Sequence, residues 1–369
     1  MSRIVLLVGK ASGGIGVHVR DLALGLRDLG HEVEVATHPV TARTFDLSQA
    51  QLLWPDPSRP DPRRLARLRR LLRSADVVHA HGHQAGMLAS ALLGSRRKHV
   101  TRLVLSLHNE LPTVRAPIGS LVRAAEARAL RRADLVTGAS SDLVRAAAQA
   151  GAADARLAPV PSPLVTELLA ADDNARRAAR ERVATAYGLD PGKALVVTIS
   201  RIAPQKDLPT LVAAAARLRT EVSWLVAGGG VVDLLATLRA SVSAAALPVH
   251  FLGPVAQPQD LLLAADAFVL TSTWEARALV VQEAMAAGVP VVSPRVGGLS
   301  DLLGTGGGIL VAPGDPEAIA TALERILADP AYGRELGAQG RAVAAIWDTP
   351  GDATRGWDLA YDRLIRGIA

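Results

Sequence analysis

The chain of 369 residues contains no cysteine, and aromatic residues make up only 3% of it. Without cysteine, neither disulfide bonds nor thiolate metal sites are available, and the fold tolerates a reducing cytosol. A long hydrophobic run is also missing at the start, where Ile4–Val8 is a short apolar segment before a glycine-rich turn. We therefore expect a buried strand there, and neither a signal peptide nor a membrane span.

Hydrophobic residues make up 49% of the chain, and its length predicts two domains rather than one core. Such a composition, dominated by Ala, Val and Leu, is typical of helices packed on parallel sheets. The formal net charge of +6 favours anionic ligands or surfaces. High genomic G+C content explains the excess of arginine and alanine equally well, so charge alone assigns no function, and we expect no nucleic-acid partner.

The first segments predict a βαβ unit, with strand Ile4–Val8, a glycine-rich turn Gly9–Gly16, a helix from about Val17 to Leu29 and strand Glu32–Ala36. The turn lacks the third glycine of a dinucleotide fingerprint, and no acidic residue ends the second strand. We therefore favour a turn whose backbone approaches a phosphate or sugar at the helix N-terminus. A tight turn without a ligand remains the alternative.

Residues Asp61–Arg73 predict a basic amphipathic helix. Its leucines share one face (Leu65, Leu68, Leu71 and Leu72), and most of its arginines, within Arg63–Arg73, occupy the other. We favour a helix that covers the sheet with its leucine face. Peripheral contact of its arginines with an anionic membrane is the second interpretation.

Three histidines follow or end the next predicted strand, at His79, His81 and His83. Their odd spacing is compatible with a metal site, but no carboxylate or cysteine accompanies them in the sequence. We interpret His79 as a packed residue of the sheet and keep His81 as a candidate functional residue. His108 ends the following strand, at an edge where open α/β sheets bind ligands.

A proline-rich linker, Ala158–Pro163, separates the two halves of the chain. In the second half, Arg201 and Lys206 lie in a loop that follows a strand and precedes a helix. Two cations and a helix N-terminus in such a loop are well suited to bind a diphosphate.

Glu275 and Glu283 occupy a strand–loop–helix–strand unit. Glu275 follows the apolar run Ala267–Leu270, and Glu283 lies early in an alanine-rich helix that ends at Gly288-Val-Pro290. Carboxylates at the carboxyl ends of parallel strands can accept hydrogen bonds from the vicinal hydroxyls of a sugar or a ribose.

The string from Glu275 to Glu283, with seven residues between the glutamates and Ala-Met-Ala-x-Gly-x-Pro-Val after the second, resembles the signature of glycosyltransferase family 4. That family contains retaining GT-B enzymes, and the Arg-x4-Lys loop resembles its diphosphate clamp. The resemblance implies an α/β fold of two Rossmann-like domains that face each other across a cleft. It predicts an acceptor-side domain 1–163, a donor domain 164–346 and a C-terminal helix, about 347–369, that crosses back to the first domain.

The resemblance implies transfer of a hexosyl unit from a nucleotide-diphospho-sugar to an acceptor hydroxyl, with no metal or other cofactor, by a cytoplasmic enzyme. Its candidate catalytic residues are Arg201, Lys206, Glu275 and His108, and its acceptor-side candidates are His81 and His108. Glu283 is expected to hold the nucleotide ribose. The candidate donor-binding residues are Gly13, Gly14, Arg201, Lys206, Glu275, Ala276, Arg277, Ala278, Leu279 and Glu283.

Two departures from the family pattern bear on function. Ala276-Arg277-Ala278 replaces the usual glycine-containing loop after the first glutamate, and Pro-Ser-Pro replaces Pro-Asn-Gly in the linker. A protein that binds a nucleotide sugar without transferring it is therefore one alternative. Another GT-B chemistry, such as that of a phosphorylase or an epimerase, is the other. The nucleotide base, the sugar, the acceptor and the oligomeric state stay open.

Overall fold

The computed structural model describes residues 1–11, 13–94, 100–110, 118–190 and 192–368, so Ser12 of the glycine-rich turn lies outside the described residues. The chain forms two compact units. Unit 1 comprises residues 1–160 and 350–369, and unit 2 comprises residues 161–349. Each boundary lies within three residues of the one predicted from the sequence.

Unit 1 is built on a parallel sheet with the strand order β2-β1-β3-β4-β5-β6. Continuous apolar runs form its central strands because helices cover both faces of the sheet. The strands are β1 (Arg3–Val8), β2 (Glu32–Thr37), β3 (Val77–His81), β4 (Arg102–Leu107), β5 (Leu135–Gly138) and β6 (Ala155–Leu157).

The helices of unit 1 alternate with its strands. They are α1 (Gly14–Asp28), α2 (Pro39–Thr44), α3 (Pro62–Arg73), α4 (His83–Leu93), α5 (Ile118–Arg132) and α6 (Ser141–Gln149), together with the C-terminal α16 (Pro350–Arg366). Helix α1 begins three residues earlier than predicted. The return of α16 to the first unit agrees with the predicted crossing helix, and this helix packs on α1.

Helix α3 buries part of its leucine face and packs against α4. The Asp61 carboxylate accepts hydrogen bonds from the amides of Arg63 and Arg64 and so caps its first turn. Leu68 and Leu72 are buried, whereas Leu65 is exposed, so the buried face is narrower than the leucine pattern predicts.

Unit 2 contains a second parallel sheet with the strand order β12-β11-β10-β7-β8-β9. Its strands are β7 (Ala194–Ile199), β8 (Val222–Ala227), β9 (Val249–Gly253), β10 (Ala267–Val269), β11 (Val291–Pro294) and β12 (Gly308–Val311). Because all strands run in one direction, their carboxyl ends lie at one edge of the sheet. At that edge the loop after β10 lies next to the loops after β7 and β11.

The helices of unit 2 are α7 (Val165–Ala170), α8 (Asp173–Tyr187), α9 (Leu208–Ala215), α10 (Val232–Ala244), α11 (Pro258–Ala264), α12 (Leu279–Ala286), α13 (Leu299–Leu303), α14 (Pro316–Ala328) and α15 (Pro330–Ala344). Aspartates at N-cap positions accept hydrogen bonds from the first turns of α8, α14 and α15. A 3-10 helix, Pro204–Lys206, precedes α9. None of the helices in the described part of the chain is both long and apolar enough to span a bilayer.

Candidate functional site

The loops at the carboxyl edge of the unit 2 sheet carry three of the residues that the sequence singled out in the second half of the chain. Arg201 and Lys206 follow β7, and Glu275 follows its neighbour β10. The ammonium group of Lys206 donates a hydrogen bond to Oε1 of Glu275. Their side chains are 14% and 11% exposed, so the ion pair is largely shielded from water. The sequence predicted both residues but not their contact.

A serine that the sequence analysis missed completes this ion pair. Ser272 donates a hydrogen bond of 2.6 Å from Oγ to the same Oε1 atom of Glu275. The Glu275 carboxylate is buried and has two donors, so its negative charge is compensated before any ligand binds. Ser272 lies only three residues before Glu275 in the same loop, and this short spacing could have indicated the contact.

Gln205 joins the loops after β7 and β10. Its side-chain amide donates a 2.7 Å hydrogen bond to the carbonyl of Trp274, and its carbonyl accepts a 2.8 Å hydrogen bond from the amide of Thr273. Thr271 adds a 2.7 Å hydrogen bond from its hydroxyl to the carbonyl of Lys206. The loops that carry Lys206 and Glu275 are therefore held together by one connected set of hydrogen bonds.

Gly297 supports the Glu275 loop from the neighbouring strand β11. Its φ of +47° lies in the left-handed region, and a Cβ atom there would approach the carbonyl oxygen of Glu275 to 2.1 Å. The amide of Gly298 donates a 2.9 Å hydrogen bond to the same carbonyl. Only glycine fits at position 297 because both the backbone conformation and the close approach exclude a side chain.

Arg201 is exposed, and its guanidinium forms no hydrogen bond or ion pair with any described residue. Its loop is held by the loop after β8, where the amide of Ile202 donates to the carbonyl of Gly229 at 2.9 Å. Gly228, with a φ of +135°, permits this contact, since a Cβ atom there would lie 1.9 Å from the carbonyl oxygen of Ser200. The structure thus fixes the Arg201 backbone and leaves its guanidinium available to a ligand.

The unusual loop Ala276–Ala278 is well packed. Ala276 and Ala278 are buried, and the guanidinium carbon of Arg277 lies 5.3 Å from the centre of the Trp347 ring. Burial lowers the pKa of Arg277 to about 10, although Asp301 and Asp348 favour its charged form. Arg277 is thus half-buried on an aromatic ring, where a cation–π contact holds it. Leu279 follows as the first residue of α12.

Glu283 lies in the second turn of α12 and is buried. Its Oε1 atom accepts a 2.6 Å hydrogen bond from the hydroxyl of Ser162, a residue of the proline-rich linker. Burial raises the pKa of the Glu283 carboxyl above its ordinary value, while this hydrogen bond acts in the opposite direction. The sequence analysis missed Ser162, because 121 residues separate it from its partner.

At the carboxyl edge of the unit 1 sheet, His81 and His108 lie together. Nδ1 of His81 lies 3.2 Å from Nε2 of His108, and their rings stack. His18 of α1, which the sequence analysis missed, packs edge-on against both rings. Burial lowers the pKa of His108 to about 3 and that of His18 to about 4, and it lowers the pKa of His81 well below its ordinary value. These imidazoles are therefore neutral hydrogen-bonding groups at neutral pH.

His79 has the predicted role of a packed sheet residue. Its two ring nitrogens lie 2.6 Å from the hydroxyls of Tyr361 and Ser106, so it connects α16 to β4. His83 instead pairs with Glu126 of α5. The sequence analysis found no carboxylate near the histidines because Glu126 lies far from them in the chain. Within the described part of the chain, no three His, Asp or Glu side chains are arranged to hold a metal ion.

The glycines predicted to contact the ligand lie at the start of α1. Gly13 is the N-cap residue, and Gly14 is the first residue of the helix. A Cβ atom at Gly13 would meet no atom within 4 Å, so the space beside this helix terminus is open. Backbone amides at such a terminus favour an anionic or hydroxyl-bearing ligand.

Two family models together match most of the chain. Residues 179–343 match the family model described as "Glycosyl transferases group 1", and residues 13–163 match that described as "Glycosyl transferase 4-like domain". Between them, the matched ranges include Gly13, Gly14, His81, His108, Arg201, Lys206, Glu275 and Glu283.

Two bacterial proteins illustrate the relationship. The chain is 32% identical over 300 residues to the GDP-mannose-dependent alpha-(1-6)-phosphatidylinositol monomannoside mannosyltransferase of Mycolicibacterium smegmatis, covering 76% of this chain and 75% of that protein. It is also 32% identical over 403 aligned positions to D-inositol 3-phosphate glycosyltransferase 2 of Catenulispora acidiphila, covering 97% and 91% of the two chains. Each alignment covers at least three quarters of this chain and of the relative.

Solved structures share the fold. The crystal structure of HepE from Anabaena in complex with UDP superimposes with a TM-score of 0.84 at 21% sequence identity, covering 98% of this chain and 100% of that one. Sucrose-phosphate synthase from Thermosynechococcus elongatus gives a TM-score of 0.80 at 23% identity and covers both chains completely. At these identities the similarity establishes the fold.

Proposed function

The chain belongs to the group 1 glycosyltransferases, of the family 4 type with the GT-B fold, and from that premise we propose a retaining, metal-independent hexosyl transfer. The donor is a nucleotide-diphospho-sugar, and the acceptor is a hydroxyl of a glycan, a lipid or a small molecule. The observation that carries this proposal is the shielded ion pair of Lys206 and Glu275. Arg201 precedes Lys206 in the same loop, and its guanidinium has no partner among the described residues. The contact of Lys206 with Glu275 supports a site in which cations bind a diphosphate and a neighbouring carboxylate binds sugar hydroxyls.

Arg201 and Lys206 neutralise the charge that develops on the leaving diphosphate. Stabilisation of a leaving group by fixed cations lowers the barrier because the charges are oriented before the reaction begins. Lys206 already lies on Glu275, so the bound donor shares its ammonium group with that carboxylate. With two cations on the diphosphate, the proposed reaction needs no metal ion.

The two glutamates bind different parts of the donor. Glu275 accepts hydrogen bonds from the hydroxyls of the transferred sugar, and Glu283 accepts them from the nucleotide ribose. Neither acts as a nucleophile. The acceptor hydroxyl attacks on the face of the leaving group, and the departing phosphate takes its proton, so the anomeric configuration is retained. His108 and His81 are the unit 1 candidates for contacts with the sugar and the acceptor, and Gly13 and Gly14 offer backbone amides to the donor.

A thermal-shift panel of UDP-, GDP-, ADP- and dTDP-sugars, all with EDTA, tests the donor site. Stabilisation by one nucleotide class would support a metal-independent site and identify its base. Product analysis by NMR then gives the anomeric configuration. A folded protein that no donor stabilises would contradict the donor site, and an inverted product would contradict retention.

A second candidate function is binding of a nucleotide sugar without transfer. The observation that favours it is the loop Ala276–Ala278, where half-buried Arg277 replaces the residues usual in the family. This function predicts donor-dependent stabilisation with no release of nucleoside diphosphate in the presence of any acceptor. A coupled assay for the released diphosphate therefore separates the two candidates.

Peripheral contact with an anionic membrane is a further part of the proposal. Helix α3 exposes Arg63, Arg67, Arg69 and Arg70, whereas its Leu68 and Leu72 are buried. Such a row of cations attracts an anionic lipid surface in a salt-dependent manner. Co-sedimentation with phosphatidylglycerol vesicles should be lost on replacement of Arg67, Arg69 and Arg70 by glutamate. Equal sedimentation of the variant would contradict the contact.

A further inference from the structure

The linker residue Ser162 touches the buried carboxylate of α12 through a hydrogen bond whose direction is fixed. The backbone amide of Leu164 donates a 3.3 Å hydrogen bond to Oγ of Ser162 and so occupies one of its lone pairs. The ionised carboxylate of Glu283 can only accept. The single hydroxyl proton of Ser162 therefore points to Oε1 of Glu283.

The position of Ser162 is fixed by its neighbours in the chain. Pro161 and Pro163 flank it, and proline restricts both its own backbone and that of the residue before it. Helix α7 begins three residues after Ser162 and packs on α12, with Val165 and Leu168 buried in the same core cluster as Ala284. Ser162 itself is 1% exposed. A donor held this firmly can orient the side chain that it contacts.

The hydrogen bond also leaves Glu283 with one oxygen for a ligand. Oε1 is occupied by Ser162, and Oε2 has no hydrogen-bond partner among the described residues. Since the residue is 7% exposed, a small part of its surface is accessible. An acceptor oxygen with a fixed direction is suited to a ribose hydroxyl, whose own O–H must donate.

We propose that Ser162 is the positioning residue of Glu283, and that it orients this carboxylate toward the ribose hydroxyls of the donor. The proposal rests on the proposed function, in which Glu283 binds the ribose. Ser162 does not touch the ligand. Its hydroxyl holds one carboxylate oxygen so that the other is presented to the nucleotide.

Isothermal titration with UDP, GDP and their 2′,3′-dideoxy analogues tests this role. Ser162→Ala should weaken binding of the preferred ribonucleotide about tenfold, which is about 1.4 kcal/mol. The affinity of the variant for the dideoxy analogue should stay within about twofold of the wild-type value. That analogue has no 2′ or 3′ hydroxyl to donate to Glu283, so the orientation of the carboxylate does not affect its binding. Equal weakening of both nucleotides, or no weakening of either, would overturn the proposal.

A matched pair of variants isolates the hydroxyl if the alanine variant folds poorly. Ser162→Thr keeps the hydroxyl that donates to Glu283. Ser162→Val has nearly the shape of the threonine variant but lacks the hydroxyl. Only the valine variant should lose the preference for ribose over dideoxyribose. Ser241→Ala is the control, since the hydroxyl of Ser241 donates to the carbonyl of Thr237 in its own helix.

A double-mutant cycle gives the last test. In a Glu283→Ala background, Ser162→Ala should cause no further loss of affinity, because its effect passes through that carboxylate. A full additional loss would overturn the positioning role. If the wild-type protein bound neither UDP nor GDP, the donor site itself would be wrong. If the wild-type protein bound a nucleotide but Ser162→Ala did not weaken the ribonucleotide selectively, only the assignment of Ser162 would be wrong.

Discussion

The ammonium group of Lys206 lies on the carboxylate of Glu275, although 69 residues separate them in the chain. The two side chains come from loops after neighbouring parallel strands, and Ser272 donates to the same carboxylate oxygen. This ion pair joins the proposed diphosphate site to the proposed sugar site. The loss of either partner should therefore affect both parts of donor binding.

Replacement of Lys206 or Arg201 by alanine should lower kcat on the order of a hundredfold, because each variant removes one preorganised charge from the leaving diphosphate. Steady-state kinetics with the donor found in the panel measure this change. Lys193→Ala is the control, since Lys193 is a partly exposed lysine of unit 2 paired with Glu221. Near-normal turnover in both Lys206→Ala and Arg201→Ala would contradict the proposed role of the two cations.

Gly297→Ala should weaken donor binding and lower the free energy of unfolding by about 1–3 kcal/mol, the cost of a strained backbone position. The added methyl group would displace the Glu275 carbonyl that Gly297 approaches. Chemical denaturation and donor titration measure the two effects. Gly356→Ala is the control, because a Cβ atom at this exposed position of α16 meets no other atom within 4 Å. An unchanged Gly297→Ala variant would show that the loop does not depend on this close approach.

Arg277→Met should raise the donor KM several-fold, because loss of a partly desolvated cation–π contact costs about 0.5–2 kcal/mol and loosens the loop after Glu275. Trp347→Leu should have a similar effect, and the double variant should be no worse than either single one. Arg325→Met is the control, since Arg325 makes a comparable contact with Tyr332 away from the site. A lower kcat with an unchanged donor KM would instead indicate that Arg277 acts on the reacting atoms.

The buried histidines of unit 1 should make the protein less stable as the pH falls below about 6.5. Their pKa values are lowered in the folded state, to about 4 for His18 and about 3 for His108. Below pH 6.5 the unfolded chain therefore binds protons that the folded chain does not. Each such histidine contributes a slope of up to about 1.4 kcal/mol per pH unit, and none above pH 6.5.

Urea unfolding between about pH 8 and pH 5 measures this dependence. Glu283 acts in the opposite direction, because burial raises its pKa and the folded state then holds the proton more readily. His18→Phe should reduce the slope, because it removes one of the buried imidazoles whose pKa is lowered. A stability that does not vary between pH 7 and pH 5 would contradict the burial of these neutral imidazoles.

The sequence by itself determined the two α/β halves, the parallel strands and the family. Apolar runs, glycine turns and caps are local signals, and Arg201, Lys206, Glu275 and Glu283 occur in short motifs with fixed spacing. These motifs lie at strand ends, so the sequence also indicated the edge of the sheet at which the proposed site lies. The beginning of α1 and the burial of Leu65 were predicted less well, because helix boundaries and the width of a buried face depend on neighbouring elements.

Only the tertiary structure decided which of these side chains meet. The contact of Lys206 with Glu275 depends on β7 and β10 being neighbours, and that of Ser162 with Glu283 depends on α7 packing on α12. The assembly of His18, His81 and His108 likewise requires three separate elements. Partners that lie far apart in the chain leave no periodicity or spacing in the sequence, so hydrogen bonds and burial between them follow only from the packed fold.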